Sequence, residues 1–208
     1  MIITIFGATG LVGKQLVKQA LYKEYTVKAF GRNVYTSFAE HKNLQLIPGA
    51  LFDEEQVLNA VKGSDAVLSV IGGNADGIDK TRSLGMKNIV AQMQKASLKR
   101  IIAVGNFGIL NGTDDKLIMD SPDHPPQFFA VCKEHFLAYK HLKNTDLDWT
   151  FVCPPDIINA DSTGTYHTAA NYPPLPNNGK INAGDLALFM LQELIKNKYL
   201  KERVGISN

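Results

Sequence analysis

"IITIFGATGLVGKQL" (residues 2–16) decides the fold: a β-branched apolar run leads straight into glycines at Gly7, Gly10 and Gly13, and then into apolar residues at helical spacing. Runs rich in isoleucine favour strand, whereas Leu11, Leu16, Val17, Ala20 and Leu21 repeat with the period of a helix. Each glycine has its own physical task. Gly7 permits a tight turn at the strand end, Gly10 lets backbone approach a pyrophosphate, and Gly13 lets the helix pack close to the strand. Amides at the helix N-terminus then face the phosphate, with Thr9 and Val12 adding contacts in the turn. A tight connection without a ligand is the alternative. The place of the turn, at the head of a strand and helix series, favours the nucleotide.

That series runs on through the chain. "YTVKAF" and "LQLI" read as strands and "VYTSFAEH" as a short helix; "DEEQVLNAVKG" reads as a helix with an acidic first turn and a glycine stop. "DAVLSVIGG", "RIIAVG" and "WTFVC" are further strands, separated by helices over "RSLGMKNIVAQMQKAS" and "FFAVCKEHFLAYKHLKN"; "AGDLALFMLQELIKN" is a late helix. Continuous apolar strands alternating with helices predict an α/β fold, a Rossmann-type doubly wound parallel sheet with a small C-terminal substrate-side extension. Two stretches, 111–127 and 159–179, break the rhythm and are expected as loops bordering the ligand crevice. Neither an internal repeat nor a domain boundary is visible. One domain over 1–208 is expected, because 208 residues, 45% of them hydrophobic, suffice for a core.

Charge excludes some partners. Twenty-two Lys and Arg against twenty Asp and Glu leave a formal charge of +2, so no broad field favours nucleic acid or an anionic membrane. No apolar run approaches the roughly 18 residues of a membrane span, and no signal peptide is seen, so a cytoplasmic protein is expected. Cys132 and Cys153 lack metal-ligand spacing and read as small core residues; no metal is expected.

The end of the second strand separates the dinucleotides. An acid there would bind the ribose 2′-hydroxyl of NAD, whereas arginine pairs with the 2′-phosphate of NADP. "KAFGRN" has no acid and supplies Arg32, which predicts NADP(H) over NAD(H); a solvated surface arginine is the alternative.

With these motifs in place, the chain resembles the atypical short-chain dehydrogenase/reductase superfamily (NAD(P)H-binding, NmrA-like), and within it the biliverdin reductase B type of NADPH-dependent flavin reductase. The stretches "IFGATGLVG", "DAVLSVIGG", "GMKNIVAQMQKASLKRIIAV", "LDWTFVCPPDI", "TGTYHTAAN", expected as a strand, and "GDLALFML" carry the resemblance. It implies that Gly7, Thr9, Gly10, Leu11 and Val12 hold pyrophosphate, and that Arg32 with Asn33 holds the 2′-phosphate. It further implies Leu51 and Phe52 beside adenine, and Ile71, Gly72 and Gly73 beside the ribose. Val104, Gly105 and Asn106, with Pro154, Pro155, Asp156 and Ile157, would border the nicotinamide. Ala50 stands where that family usually has Asp, which removes one polar contact near the adenine.

Catalytic side chains are sparse. Many short-chain dehydrogenases use Tyr four residues before Lys as a proton donor; the stretch of that spacing here, "FAVCK", has Phe129 and Lys133. Tyr139 and Lys140 are adjacent and face different sides of a helix. The catalytic candidates are therefore Asn106, where the related reductases have Ser, His135, which matches a family histidine, and Asp156, where they have His. An anion at Asp156 would disfavour an anionic substrate close by. Asp161 and Asp185 read as turn and helix-cap residues. Phe107, Phe128, Phe129 and Tyr166 either line an acceptor pocket or pack in the core. The resemblance implies an NADPH-dependent oxidoreductase passing hydride to a small planar flavin-like or quinone-like acceptor without the Tyr and Lys pair. A monomer is expected, with a weak dimer as the alternative state. The competing reading is a non-catalytic NADP(H)-binding sensor.

Overall fold

The computed structural model describes residues 1–74 and 76–208. β1 (Ile2–Phe6), α1 (Leu11–Tyr22) and β2 (Thr26–Gly31) form the first strand-helix-strand unit, followed by β3 (Leu44–Pro48), α2 (Glu54–Val61) and β4 (Ala66–Ser69). α3 (Thr81–Lys95), β5 (Arg100–Val104), α4 (Phe129–Lys143) and β6 (Asp148–Cys153) extend the alternation. The chain then forms β7 (Asp156–Ile158), β8 (His167–Ala170), β9 (Lys180–Asn182), α5 (Ala183–Lys196) and β10 (Glu202–Ser207). The eight-stranded sheet has the order β3-β2-β1-β4-β5-β6-β10-β8. Its pairs are parallel except that β8 runs against β10; β7 and β9 form a separate two-stranded ribbon.

Alternation along the strands feeds two cores. Ile3 and Ile5 of β1, Val27 and Ala29 of β2, and Ile102 of β5 face α1 and α5, where Leu16, Val17, Phe189 and Met190 pack on them. Phe6, Phe30, Val67, Ile101 and Ala103 face the other way, onto Val57 of α2, Met86 and Met93 of α3 and Leu142 of α4. Burial on both faces explains why these strands read as apolar runs.

Some expected elements take another form. The stretch from Val34 makes only a 3₁₀ turn, Val34–Thr36, because the Thr36 and Ser37 hydroxyls donate to the Asn33 carbonyl and divert it from a helical ladder. The strand assigned to "TGTY" (163–166) begins four residues later, at His167, so none of those four residues is in it. Thr163 and Gly164 instead serve Asp185, which is fully buried. Its carboxylate accepts from Ser162 Oγ (2.8 Å), Thr163 N and Oγ1 (both 2.9 Å), Gly164 N (2.8 Å) and Asn208 Nδ2 (2.8 Å). Asp185 is thus a hub that fastens the 162–164 loop and the final strand to α5, not a cap for its own helix. Burial opposes its charge, but the donors from Ser162, Asn208, Gly164 and Thr163 together hold its pKa below the usual value.

An amide at this position leaves at least one donor facing an NH₂ group, so Asp185→Asn is expected to cost about 3 kcal/mol at neutral pH, measured by urea unfolding. A carboxyl with a depressed native pKa contributes its stability above its unfolded value of about 4 and loses it as pH falls through the native value. The gap between native protein and variant should accordingly be full at pH 6 to 7 and shrink in acid.

Candidate functional site

The carboxyl ends of β1, β2, β4, β5 and β6 open onto one crevice. Gly7 takes φ +80°, and a Cβ there would stand 2.5 Å from the Val70 carbonyl oxygen. At Gly13 a Cβ would meet the Gly7 carbonyl oxygen at 2.1 Å, so glycine is what allows α1 to sit directly on the turn. Gly10 differs. It is exposed, and its nearest obstacle to a Cβ is a single atom at 3.3 Å. Among the described residues no protein acceptor meets the amides of Leu11, Val12 and Gly13, while Lys14 N already bonds the Gly10 carbonyl. No acidic residue occupies the first turn of α1. Open amides, a positive helix end and backbone free of side-chain cover fit a pyrophosphate.

A cavity of about 440 Å³ lies on one side of this turn, lined by Gly7, Thr9, Gly10, Arg32, Ala50, Leu51, Phe52, Ile71 and Gly72 among others. Phe6 and Phe30, with ring centroids 5.0 Å apart, form part of its wall. Arg32 follows β2 directly and is exposed, free of any ion pair among the described residues. The Ala50 amide donates to Gln56 Oε1 at 2.7 Å, and Asn88 Nδ2 holds the Leu51 carbonyl at 2.9 Å. Those bonds fix the loop that bears Phe52, whose ring is exposed at the cavity edge.

A second cavity, of about 360 Å³, lies on the other side, lined by Leu11, Val12, Val104, Gly105, Asn106, Pro154, Pro155, Ile157 and His135 together with Arg82 and Val131. Both cavities are bordered by Gly10, Val70, Ile71 and Gly72, so they adjoin across the glycine turn. The Asn106 carboxamide has one reading. Its Oδ1 accepts the Gly108 amide at 2.7 Å and the Cys132 thiol at 3.0 Å, which leaves the NH₂ group as its face without a partner among the described residues.

His135 is buried on α4; burial first, then the charge of Arg82, pushes its pKa down to about 3. It is a neutral imidazole near pH 7. Burial raises the Cys132 thiol to about 11 and the Cys153 thiol to about 12, so both stay protonated.

Three of the expected residues line neither cavity. Asn33 is exposed in the turn after β2, and Gly73 lies beyond the wall, its carbonyl accepting from Arg82 Nη2 at 2.9 Å. Asp156 is exposed at the start of β7, opposite Lys180 in the strand register of the β7–β9 ribbon. The aromatic set also stands apart: Phe128 and Phe129 are exposed at the start of α4, Phe107 packs on the core, and Tyr166 meets Phe189 edge-on at 6.0 Å. Tyr139 is buried, edge-on to Trp149 at 5.7 Å and tilted against Phe151, so its role is packing. Arg82 is the charged wall residue of the second cavity that sequence reasoning passed over. It stands at the start of an expected helix, and nothing in the local pattern separates a buried arginine there from a solvated one.

Known proteins are similar to this chain in sequence and fold. A family model described as NAD(P)H-binding matches residues 7–197. The uncharacterized protein YwnB of Bacillus subtilis (strain 168) is 26% identical over 99% of this chain and 98% of its own length. The photosystem II assembly factor Ycf39 of Synechocystis is 26% identical; the match takes in 73% of this chain but only 44% of that protein. Among solved structures, SP1627 of Streptococcus pneumoniae TIGR4, provisionally named an NADH-flavin reductase, superposes with a TM-score of 0.86 at 27% identity, over 100% of this chain and 99% of that one. A protein of Bacteroides thetaiotaomicron provisionally named an epimerase gives 0.87 at 27% identity, over 99% and 96%.

The glycines permit a test that separates fold from site. Gly13→Ala should lower the melting temperature by several degrees through backbone collision, about 2 kcal/mol or more. Gly10→Ala should lower melting by much less, since a Cβ there need shift the Gly7 carbonyl oxygen only by a few tenths of an ångström, and should weaken NADPH binding about tenfold or more, read by fluorescence titration. Equal melting losses in both variants would remove the special standing of Gly10.

Proposed function

Because the chain belongs to the NAD(P)H-binding family, and its neighbours include oxidoreductases, we propose that it is an NADPH-dependent reductase that passes hydride to a planar flavin-like or quinone-like acceptor. The observation that carries this reading is the second cavity. A reductase needs open volume beside the nicotinamide, and about 360 Å³ adjoins the glycine turn there, bounded by Asn106 and the two prolines. A sensor needs room for the nicotinamide but none for an acceptor beside it, and for that reason ranks second.

In this reading the amides of Leu11, Val12 and Gly13 bind the pyrophosphate, and Arg32 binds the 2′-phosphate by paired charge-assisted bonds. Leu51 and Phe52 flank the adenine, and Ile71 and Gly72 border the ribose. When bound, reduced nicotinamide supplies the hydride. Val104, Gly105, Pro154, Pro155 and Ile157 would border the nicotinamide and its acceptor and exclude water from them. Asn106 donates its amide hydrogens to an acceptor oxygen or nitrogen, where charge grows as hydride arrives. His135, neutral and desolvated, contributes shape, and solvent supplies the proton that completes reduction. Phe129 at the start of α4 has no proton to give, which suits acceptors that need no phenolic donor.

Steady NADPH oxidation with FMN, riboflavin or a small quinone is the decisive measurement; tight NADPH binding without turnover across a broad acceptor panel would put the sensor first. Arg32→Ala should weaken NADPH by about tenfold or more while changing NADH by less than about twofold, since only the former carries the 2′-phosphate. Replacement of His135 by Asn should leave the shape of the pH profile between 5 and 8 unaltered, because a group titrating near 3 changes no charge in that range.

A further inference from the structure

The exposed carboxylate of Asp156 sets no charge on the second cavity, since it stands outside the wall. Of the described residues that line this cavity, Arg82 alone is charged. It is 8% exposed, and its guanidinium is spent only in part: Nη1 donates to the Asn74 carbonyl and Nη2 to the Gly73 carbonyl, each at 2.9 Å. Nε is buried with no partner, and no carboxylate forms an ion pair with the guanidinium among the described residues.

Nearby acids among the described residues act on this charge without forming an ion pair with it. Asp79 acts on Arg82 most strongly, followed by Glu134 and Asp76. Asp79 and Asp76 lie exposed to water. The Asp79 carboxylate accepts the amides of Asn74 and Thr81, while Glu134 is occupied by the Ser83 hydroxyl at 2.7 Å and the Ser83 amide at 3.3 Å. Two carbonyl dipoles orient the guanidinium without neutralising it. A buried cation without a paired anion is costly, and the cost falls when a ligand brings the anion. Asn106 and His135 add no negative charge to the wall.

We propose that Arg82 determines acceptor specificity by pairing with an anionic group, phosphate or carboxylate, on the molecule that receives the hydride. A phosphorylated flavin is then preferred to the same ring system without phosphate. This rests on the reductase reading, and it reverses the penalty on anionic acceptors that the sequence attaches to Asp156. The cofactor pyrophosphate is the other anion in reach of this crevice, so the test compares both sources.

FMN and riboflavin share one ring and differ in the phosphate. Equilibrium binding of each flavin and of NADPH, by fluorescence titration, and the KM for each flavin are measured in the native protein, Arg82→Gln and Arg82→Lys, with melting curves as the check on folding. Native protein should bind FMN at least about tenfold more tightly than riboflavin, as one charge-assisted pair allows. Arg82→Gln should abolish that preference with riboflavin and NADPH affinities unchanged, and Arg82→Lys should retain part of it because the charge persists without the planar fork. Native protein with no preference for FMN, or equal losses for the two flavins, overturns the proposal. So does a loss of NADPH affinity with the flavin ratio intact, which would assign Arg82 to the pyrophosphate. If Arg82→Gln does not fold, the ratio in Arg82→Lys decides. Binding without turnover defeats the reductase reading and the hydride-acceptor role with it, while the affinity ratio still decides whether Arg82 selects an anionic ligand; binding of neither flavin defeats both.

Discussion

The contact between α1 and the turn that precedes it governs this molecule. With a Cβ at Gly13 excluded by the Gly7 and Ala8 carbonyls, the first turn of α1 lies against the end of β1, and its free amides point across the crevice. Everything downstream is registered to that point. β4 runs beside β1 with Phe6 opposite Ser69, which brings Val70, Ile71 and Gly72 to the edge shared by both cavities. β5 and β6 follow in parallel, so Asn106 and Pro154 arrive at the same level of the sheet. Crossovers on both faces make this level the natural place for a ligand.

The chemistry along the crevice is economical in charge. Three groups that titrate in other settings are held in one form: His135 neutral, Cys132 and Cys153 as thiols. Asn106 is oriented by neutral donors, the Gly108 amide and the Cys132 thiol. Such a wall changes little with pH and stores no proton for the reaction. That suits hydride transfer to an acceptor that draws its proton from water, and in the second cavity it leaves Arg82 as the permanent cation able to rank acceptors by charge.

Much of this was legible in the sequence, for reasons that can be named. The turn at Gly7 to Gly13, the strands and the helices are local patterns, and a doubly covered parallel sheet writes its strands as plain apolar runs. Residues around 104–106 and 154–157 were placed near one another through the resemblance, because their strands neighbour in the sheet. Other features depend on distant partners and leave no local mark. β10 looks polar at Glu202 and Arg203, yet it is buried between β6 and β8. Asp185 reads as a helix-end acid until the 162–164 loop is folded against it. Asp156 and Arg82 differ from a local reading for the same reason: Asp156, expected at the site, lies out along a small ribbon, and Arg82, for which the sequence offers no expectation, lies under the 73–74 carbonyls.

The unequal demands on the glycines bear on how such scaffolds diverge. Positions 7 and 13 are constrained by the polypeptide itself, so any descendant that still folds must keep them small. Position 10 is constrained by whatever lies outside the polypeptide. A lineage that gave up its dinucleotide would be free to place a side chain there at little structural cost, and the identity of that one residue would record whether the crevice is still in use.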